Sequence, residues 1–186
     1  KECQSKNCWD EVMELYEVAA AKKEIKKFNQ QNQFYKKGLS LMPVCFGISF
    51  TNTMMNQARA LVHVYTDGTV GISTGAVEMG QGVNSKMLQV AATSFGISSD
   101  KIKLESTNTT RVANTSPSAA SSTADLNGKA LLDACNQIKE RLFSFIKTEL
   151  TDNEDETIEI KDEVVYINDE ASIFNWKNLI QQAFMK

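Results

Sequence analysis

Two short stretches of this chain carry residue types that could do chemistry: Glu78-Met79-Gly80-Gln81-Gly82 and, further along, Asn114-Thr115-Ser116-Pro117-Ser118-Ala119-Ala120-Ser121-Ser122-Thr123. Each offers small residues, backbone N–H groups and short polar side chains just ahead of a helical pattern. Backbone without a Cβ admits close approach, and a helix N-terminus adds oriented positive partial charge. That combination suits capture of an anionic, phosphate-bearing ligand. The Gln81 amide can both donate and accept at such a ligand. Ser118, Ser121, Ser122 and Thr123 supply hydroxyls, and Ala119 and Ala120 leave room for a flat group beside them. Taken singly, the glycine turn reads equally well as a plain strand-to-helix connection, and the Ser/Ala/Thr run as a small-residue helix start packed on a neighbour. The Gly-Lys-Ser/Thr of a Walker loop is missing, which removes an ATPase of that class. Glu78 is expected to orient backbone rather than to react.

Phe46-Gly47-Ile48-Ser49-Phe50-Thr51 is a third candidate. It reads either as a core strand or as a site segment that sets Phe50 against an aromatic ring, with Thr51 as a hydrogen-bonding neighbour. His63, the single histidine, lies mid-strand without a convincing ligand or triad partner and is read as structural. The four cysteines, Cys3, Cys8, Cys45 and Cys135, form no metal-ligand spacing and are read as reduced thiols, Cys135 on an apolar helix face. No catalytic residue and no metal ligand is assigned.

These segments need elements to hold them. Trp9 to Gln30 has the periodicity of a helix, and Leu39 to Phe50 reads as a strand or irregular extended segment. Ala58 to Tyr65 is a strand, Asp67-Gly68 a two-residue hairpin, and Thr69 to Thr74 the returning strand. Asn84 to Phe95 is a helix stopped by Gly96, and Ile102 to Glu105 a short strand. A polar loop, Ser106 to Thr115, precedes one long helix or a broken pair over Ala119 to Leu150. After an acidic loop, Asp152 to Glu156, a second hairpin (Ile158–Ile160, Val164–Ile167) leads to a closing helix, Phe174 to Phe184. The expected fold is α+β, a layered domain of β-hairpins packed against helices. At 186 residues, residues 1–186 are read as a single domain able to bury a core. Hydrophobic content of 42%, charged content of 23% and a net charge of −3 are ordinary for a soluble protein and argue against nucleic-acid binding. No apolar run approaches a membrane span, and Lys1 to Asp10 lacks the apolar core of a signal peptide. Both ends read as cut rather than natural, as in an excised domain.

Lys36-Lys37-Gly38-Leu39, Phe46 to Thr51, Asn56-Gln57-Ala58, Leu61 to Gly68, Glu78 to Gly82, Asn108-Thr109-Thr110, Asn114 to Pro117 and Ala124-Asp125-Leu126-Asn127-Gly128 all resemble, in order, the xanthine dehydrogenase family of molybdenum hydroxylases. The likeness runs from about Trp9 to Trp176 and covers one slice of the family's molybdopterin-binding domain. Aldehyde oxidases are similar around Glu78 to Gly82 but usually lack the Phe-Gly-Ile-Ser-Phe-Thr and Thr-Ser-Pro-x-Ala-Ala wording. The resemblance implies a molybdenum-cofactor-binding-domain-like fold. It implies molybdopterin contacts from Met79, Gly80, Gln81, Ser118, Ala119, Ala120, Ser121, Ser122 and Thr123. It also implies purine contacts from Phe50, Thr51, Ala119 and Ala120.

The family reaction is molybdenum-dependent hydroxylation of xanthine or hypoxanthine, with electrons leaving through 2Fe-2S clusters to FAD and NAD in other domains. The implied setting is a cytoplasmic, homo-oligomeric oxidoreductase of purine catabolism whose remaining domains or subunits are the partners of this slice. The family's Gly-x-Gly-Glu-Pro glutamate, the arginine and glutamate that read the purine, and the Phe-Gly-Gly loop are absent here. No cysteine spacing could hold a cluster, and no dinucleotide fingerprint is present. The chain alone is therefore expected to be inactive, with the Thr107 to Ser116 loop mobile without its cofactor. A non-catalytic scaffold and a simple phosphate-ligand-binding module are the alternatives.

Overall fold

The computed structural model describes residues 4–44, 47–151, 153 and 155–186, and the chain divides into two compact units, 1–46 and 47–186. In the first unit the single helix expected over Trp9 to Gln30 is two: α1 (Ser5–Leu15) and α2 (Val18–Gln31). Glu17 turns left-handed at φ 45°, ψ 44° between them. Its N–H closes on the Glu14 carbonyl at 3.0 Å and that of Tyr16 on Val12 at 3.2 Å, the manner in which a left-handed residue ends a helix. Past α2 the Asn29 carboxamide clasps Lys37, donating to its carbonyl and accepting its N–H, both at 2.8 Å. Residues 35–44 are irregular, in keeping with the irregular alternative for Leu39 to Phe50. Cys45 and Phe46 lie outside the described residues, as does Cys3.

The second unit is built on β2 (Val70–Thr74), buried at every position. It pairs antiparallel with β1 (Ala60–Val64) and parallel with β3 (Ile102–Leu104), the β2–β3 crossover being α3 (Val83–Phe95). Along β1, Val62 and Val64 turn toward the core while Leu61 and His63 are exposed, the alternation a half-buried strand requires. The β1–β2 connection is a three-residue loop, Thr66 to Gly68, rather than two. The Gly68 N–H bonds to the Tyr65 carbonyl at 2.9 Å and the Tyr65 N–H to Thr69 at 2.8 Å. Gly68 closes the loop at φ +87°, a conformation that costs glycine little.

α4 (Thr123–Phe145) packs along α3 and across β1 and β2, then widens into a π-helical turn over Ile146–Thr151. It is continuous, but it starts four residues later than Ala119, because Ala120 and Ser121 are left-handed (φ 52° and 51°). A second sheet of β4 (Ile158–Lys161), β5 (Val164–Ile167) and β6 (Glu170–Asn175) follows, antiparallel throughout. Its two turns, Asp162-Glu163 and Asn168-Asp169, have positive φ at both residues, which matches strand twist in tight hairpins. The closing helix is α5 (Trp176–Phe184), later than the expected Phe174 start. Phe174 belongs to β6, and Asn175 caps α5 by accepting the Asn178 N–H at 2.9 Å. Asp152 and Glu154, in the expected acidic loop, are outside the described residues.

The core joins both sheets to the helices through Val70, Ile72, Met87, Phe95, Leu131, Cys135, Val165, Trp176 and Leu179. Trp176 lies 5.2 Å from Phe95 ring to ring, and its indole N–H donates to the Gly68 carbonyl at 2.7 Å. Burial pushes the Cys135 thiol up to about 12, with Lys139 opposing slightly. Cys135 lies on the buried apolar face of α4, as expected. Cys8 is exposed. His63 stands on the exposed side of β1, edge-on to Tyr65 at 4.4 Å.

Candidate functional site

The glycine turn leaves the end of β2 and enters α3. Glu78 does orient backbone, as expected: its Oε1 accepts the N–H groups of Gly80 (2.7 Å) and Gly82 (3.0 Å), and its Oε2 that of Asn84 (3.0 Å). These bonds, chiefly that of Asn84 and then that of Gly82, hold the carboxyl below the usual 4.5 even though the group is exposed. The consequence corrects the sequence reading. The Gly80, Gly82 and Asn84 amides, expected to face a ligand, are occupied by the chain's own carboxylate. Gln81 is folded back as well, donating to the Val77 carbonyl at 2.8 Å and accepting the Met79 N–H at 2.6 Å. Met79 is left exposed.

The second segment descends beside the first. The Ser118 hydroxyl accepts the Val77 N–H at 2.9 Å and so ties the two together. The Ser122 hydroxyl, buried, turns inward and donates to the Ala119 carbonyl at 3.0 Å. Ala120 and Ser121 hold left-handed backbone, uncommon without glycine and a form of strain that gathers at ligand sites. Behind the segment, the Thr107 hydroxyl donates to the Ala76 carbonyl at 2.7 Å, and the Ser116 hydroxyl bonds the Met55 carbonyl.

The third candidate segment joins the same place. The Ser49 N–H, at a residue with φ +77°, donates to the Ala120 carbonyl at 2.9 Å. Phe50 is then locked by Asn56, whose carboxamide accepts its N–H and donates to its carbonyl, both at 2.9 Å. Phe50 is half-buried and Thr51 exposed.

Between the first two segments lies a cleft of about 340 Å³ lined by Met79, Gln81, Val83, Lys86, Ser118, Ala119, Ser121, Thr123 and Ala124. Met79, Gln81, Ser118, Ala119, Ser121 and Thr123 are thus brought together about the cleft, whereas Gly80, Ala120 and Ser122 do not line it. Phe50 and Thr51 do not line this cleft; their segment is tied to the second one through the Ser49–Ala120 bond. Val83, Lys86 and Ala124 are lining residues that sequence reasoning missed, and of these Lys86 carries a charge. On an amphipathic helix a lysine reads as solvated surface, and only its placement one turn beyond the glycine motif could have singled it out. Among the described residues no group of three or more His, Cys, Asp or Glu could hold a metal ion, and no helix is long and apolar enough to cross a membrane.

The chain is 50% identical over 140 residues to xanthine dehydrogenase/oxidase of Mus musculus, a match covering 75% of this chain and 10% of that protein. It is 51% identical over 137 residues to that of Gallus gallus (74% and 10%), and 47% identical over 137 residues to xanthine dehydrogenase of Dictyostelium discoideum (74% and 10%). The chain therefore spans about a tenth of the length of the curated relatives it matches. Its fold is similar to part of quinoline 2-oxidoreductase from Pseudomonas putida 86, with a TM-score of 0.59, 21% identity, and coverage of 68% of this chain and 16% of that one. It is equally similar to part of the Cu,Mo-CO dehydrogenase, with a TM-score of 0.59 and 21% identity over 67% of this chain and 16% of that one. These likenesses bear out the α+β class. The molybdopterin cofactor-binding domain profile matches residues 11–186, and the chain belongs to that family.

Proposed function

We propose that this chain forms one wall of the cofactor and substrate site of a molybdenum-dependent xanthine dehydrogenase, and that residues 1–186 are a single slice of its second molybdopterin-binding region. The observation that supports this reading is the meeting of two separate segments about one cleft, joined by the Val77–Ser118 hydrogen bond, with the third segment tied to the second through the Ser49–Ala120 bond. The residues present fit the cofactor. The cleft is concave, its small side chains admit a flat pterin, and its hydroxyls, with the second N–H of the Gln81 amide, match a ligand rich in polar groups. Met79, Gln81, Ser118, Ala119, Ser121 and Thr123 would hold it, with Gly80, Ala120 and Ser122 setting the loop conformations. The bound group supplies two-electron oxidation chemistry that no side chain here can.

At the rim, Phe50 would pack against the ring of xanthine or hypoxanthine, and Thr51 would hydrogen-bond a substrate oxygen. Ala119 and Ala120 would face the same substrate. The Asn56 clasp on Phe50 supports this role, because it fixes the ring's backbone at the cost of one amide side chain. FAD, the 2Fe-2S clusters and the catalytic glutamate would come from other parts of a cytoplasmic, homo-oligomeric enzyme of purine catabolism, so the chain alone would not turn over substrate.

The test is made on the full-length enzyme: molybdenum content, and xanthine oxidation before and after Gln81→Ala and Phe50→Ala. Gln81→Ala should lower cofactor occupancy, and Phe50→Ala should lower purine oxidation at full occupancy. A folded enzyme with neither molybdenum nor purine oxidation would leave the scaffold reading in its place.

A further inference from the structure

We infer that Asn127 and Thr115 share one buried water, and that this tether fastens the second segment of the cleft to α4 from behind. It holds the protein's own wall in place, whichever ligand the cleft takes.

Asn127 lies one turn inside α4 and is only 5% exposed. Its amide N–H donates to the Thr123 carbonyl at 3.1 Å. That bond fixes the carboxamide's orientation, because the other way round two oxygens would face each other. Oδ1 therefore points elsewhere, and among the described residues it has no hydrogen-bond partner although it is shielded from solvent. A buried acceptor left so carries the full penalty of its desolvation. Asparagine is also a weak helix former, so propensity does not account for it either.

The oxygen faces Gly75, just past the end of β2. A Cβ built there would stand 3.3 Å from Asn127 Oδ1 and 2.4 Å from Thr115 Oγ1. Thr115 is half-buried, and its hydroxyl makes no hydrogen bond to any described residue. A hydroxyl and an amide oxygen from two different elements thus border the room that glycine leaves, within the span one water bridges. The water would donate to Oδ1 and accept the hydroxyl proton, and such waters settle where polar groups otherwise go unpaired. Thr115 precedes Ser116, whose hydroxyl bonds the Met55 carbonyl, and Ser118, whose hydroxyl accepts the Val77 N–H at 2.9 Å. Those bonds hold the segment toward residues 55 and 77, and the water holds it to α4. The loop expected to be mobile over Thr107 to Ser116 is then pinned at its Thr115 end.

The experiment uses the full-length enzyme. High-resolution crystallography of the wild type should show an ordered water within about 3.2 Å of both Asn127 Oδ1 and Thr115 Oγ1; a direct bond between the two side chains, or no water between them, would overturn the inference. Hydrogen exchange read by mass spectrometry measures what the bridge holds, through peptides covering 107–118, where the Arg111 and Val112 amides are bonded to the Asn108 carbonyl. Thr115→Val keeps the shape and removes the hydroxyl, and should speed their exchange about tenfold, the worth of one hydrogen bond, while β2 peptides exchange as in wild type. Thr115→Ser keeps the hydroxyl and should match wild type. Asn127→Leu should give the same acceleration as Thr115→Val, and the double variant no more, because both break one bridge. Equal acceleration in Thr115→Val and Thr115→Ser would assign the effect to the lost methyl, and additive acceleration in the double variant would make the two positions independent; either result would overturn the tether. Should Asn127→Leu fail to fold, the Thr115 pair and the crystal structure still decide.

Discussion

Gly75 is the hinge between the central strand and the glycine turn, and replacing it with alanine should pull on the other side of the cleft. Its backbone lies outside the left-handed region, so alanine is conformationally acceptable there. By restricting the unfolded chain, alanine would even add about 0.4–1 kcal/mol. The space is the obstacle. A Cβ at Gly75 would stand 2.4 Å from Thr115 Oγ1 and 3.3 Å from Asn127 Oδ1, while the next nearest atom, Thr115 Cβ, is 3.5 Å away. Overpacking of this kind costs about 1–3 kcal/mol, so Gly75→Ala should lose about 1–2 kcal/mol net. Thr115→Ala deletes the one atom in severe conflict. In that background Gly75→Ala should be neutral to within about 0.5 kcal/mol or stabilising, giving a coupling of about 1–2 kcal/mol between the two positions. Urea unfolding of the four proteins, followed by far-UV circular dichroism, measures it directly. Equal losses from Gly75→Ala in the two backgrounds would refute the argument, since the cost would then not come from Thr115. The clash also has a functional reading: Thr115 precedes Ser116, whose hydroxyl bonds the Met55 carbonyl, so displacing Thr115 disturbs the wall opposite the glycine turn.

Three further outcomes are expected. Trp176→Phe strands the Gly68 carbonyl and leaves part of the indole's volume empty, and should cost about 2–4 kcal/mol in urea unfolding; a loss under about 1 kcal/mol would show that the indole bond contributes little. Glu78 has a folded-state pKa below its ordinary 4.5, so its contribution is complete above that pH and is lost as pH falls through the lowered value. The gap in melting temperature between wild type and Glu78→Gln should therefore be constant near neutrality and close as the pH drops below 4.5, and a gap unchanged down to pH 3 would count against it. Finally, alkylation at pH 8 mapped by mass spectrometry should modify exposed Cys8 in the native protein and reach Cys135 only on unfolding, since burial both hides that thiol and keeps it protonated.

What could be read from the sequence was what repeats or what punctuates. The β1 alternation, the apolar face of α3 with its Gly96 stop, and the β4–β5 hairpin all follow from period and turn residues, and the structure has them within a residue or two. The break at Glu17 carries no glycine, proline or asparagine to announce it, so periodicity ran straight through. β6 was overlooked because Ser172-Ile173-Phe174 blends into the pattern of the helix behind it. The Asn168-Asp169 pair, able to take left-handed φ at both positions, was the available clue. At the site, residue types pointed to two loops that the structure sets side by side about one cleft. Donor bookkeeping was out of reach: that Glu78 fills the amides of its own turn, or that Ser122 faces inward, depends on distances between atoms that sequence spacing does not contain.

The bond from the Trp176 indole to Gly68 joins residues 108 positions apart, and this sets a timetable for the nascent chain. At 5–20 residues per second, a ribosome takes roughly 5–20 s to make the intervening stretch. Through that interval the β1–β2 hairpin exists without the ring that covers its loop, and for most of it the apolar side chains of Val70 and Ile72 also lack α4 to close over them. The stretch that carries the glycine turn is thus made early and sealed late, and this delay is the period in which synthesis of the domain is most exposed to aggregation.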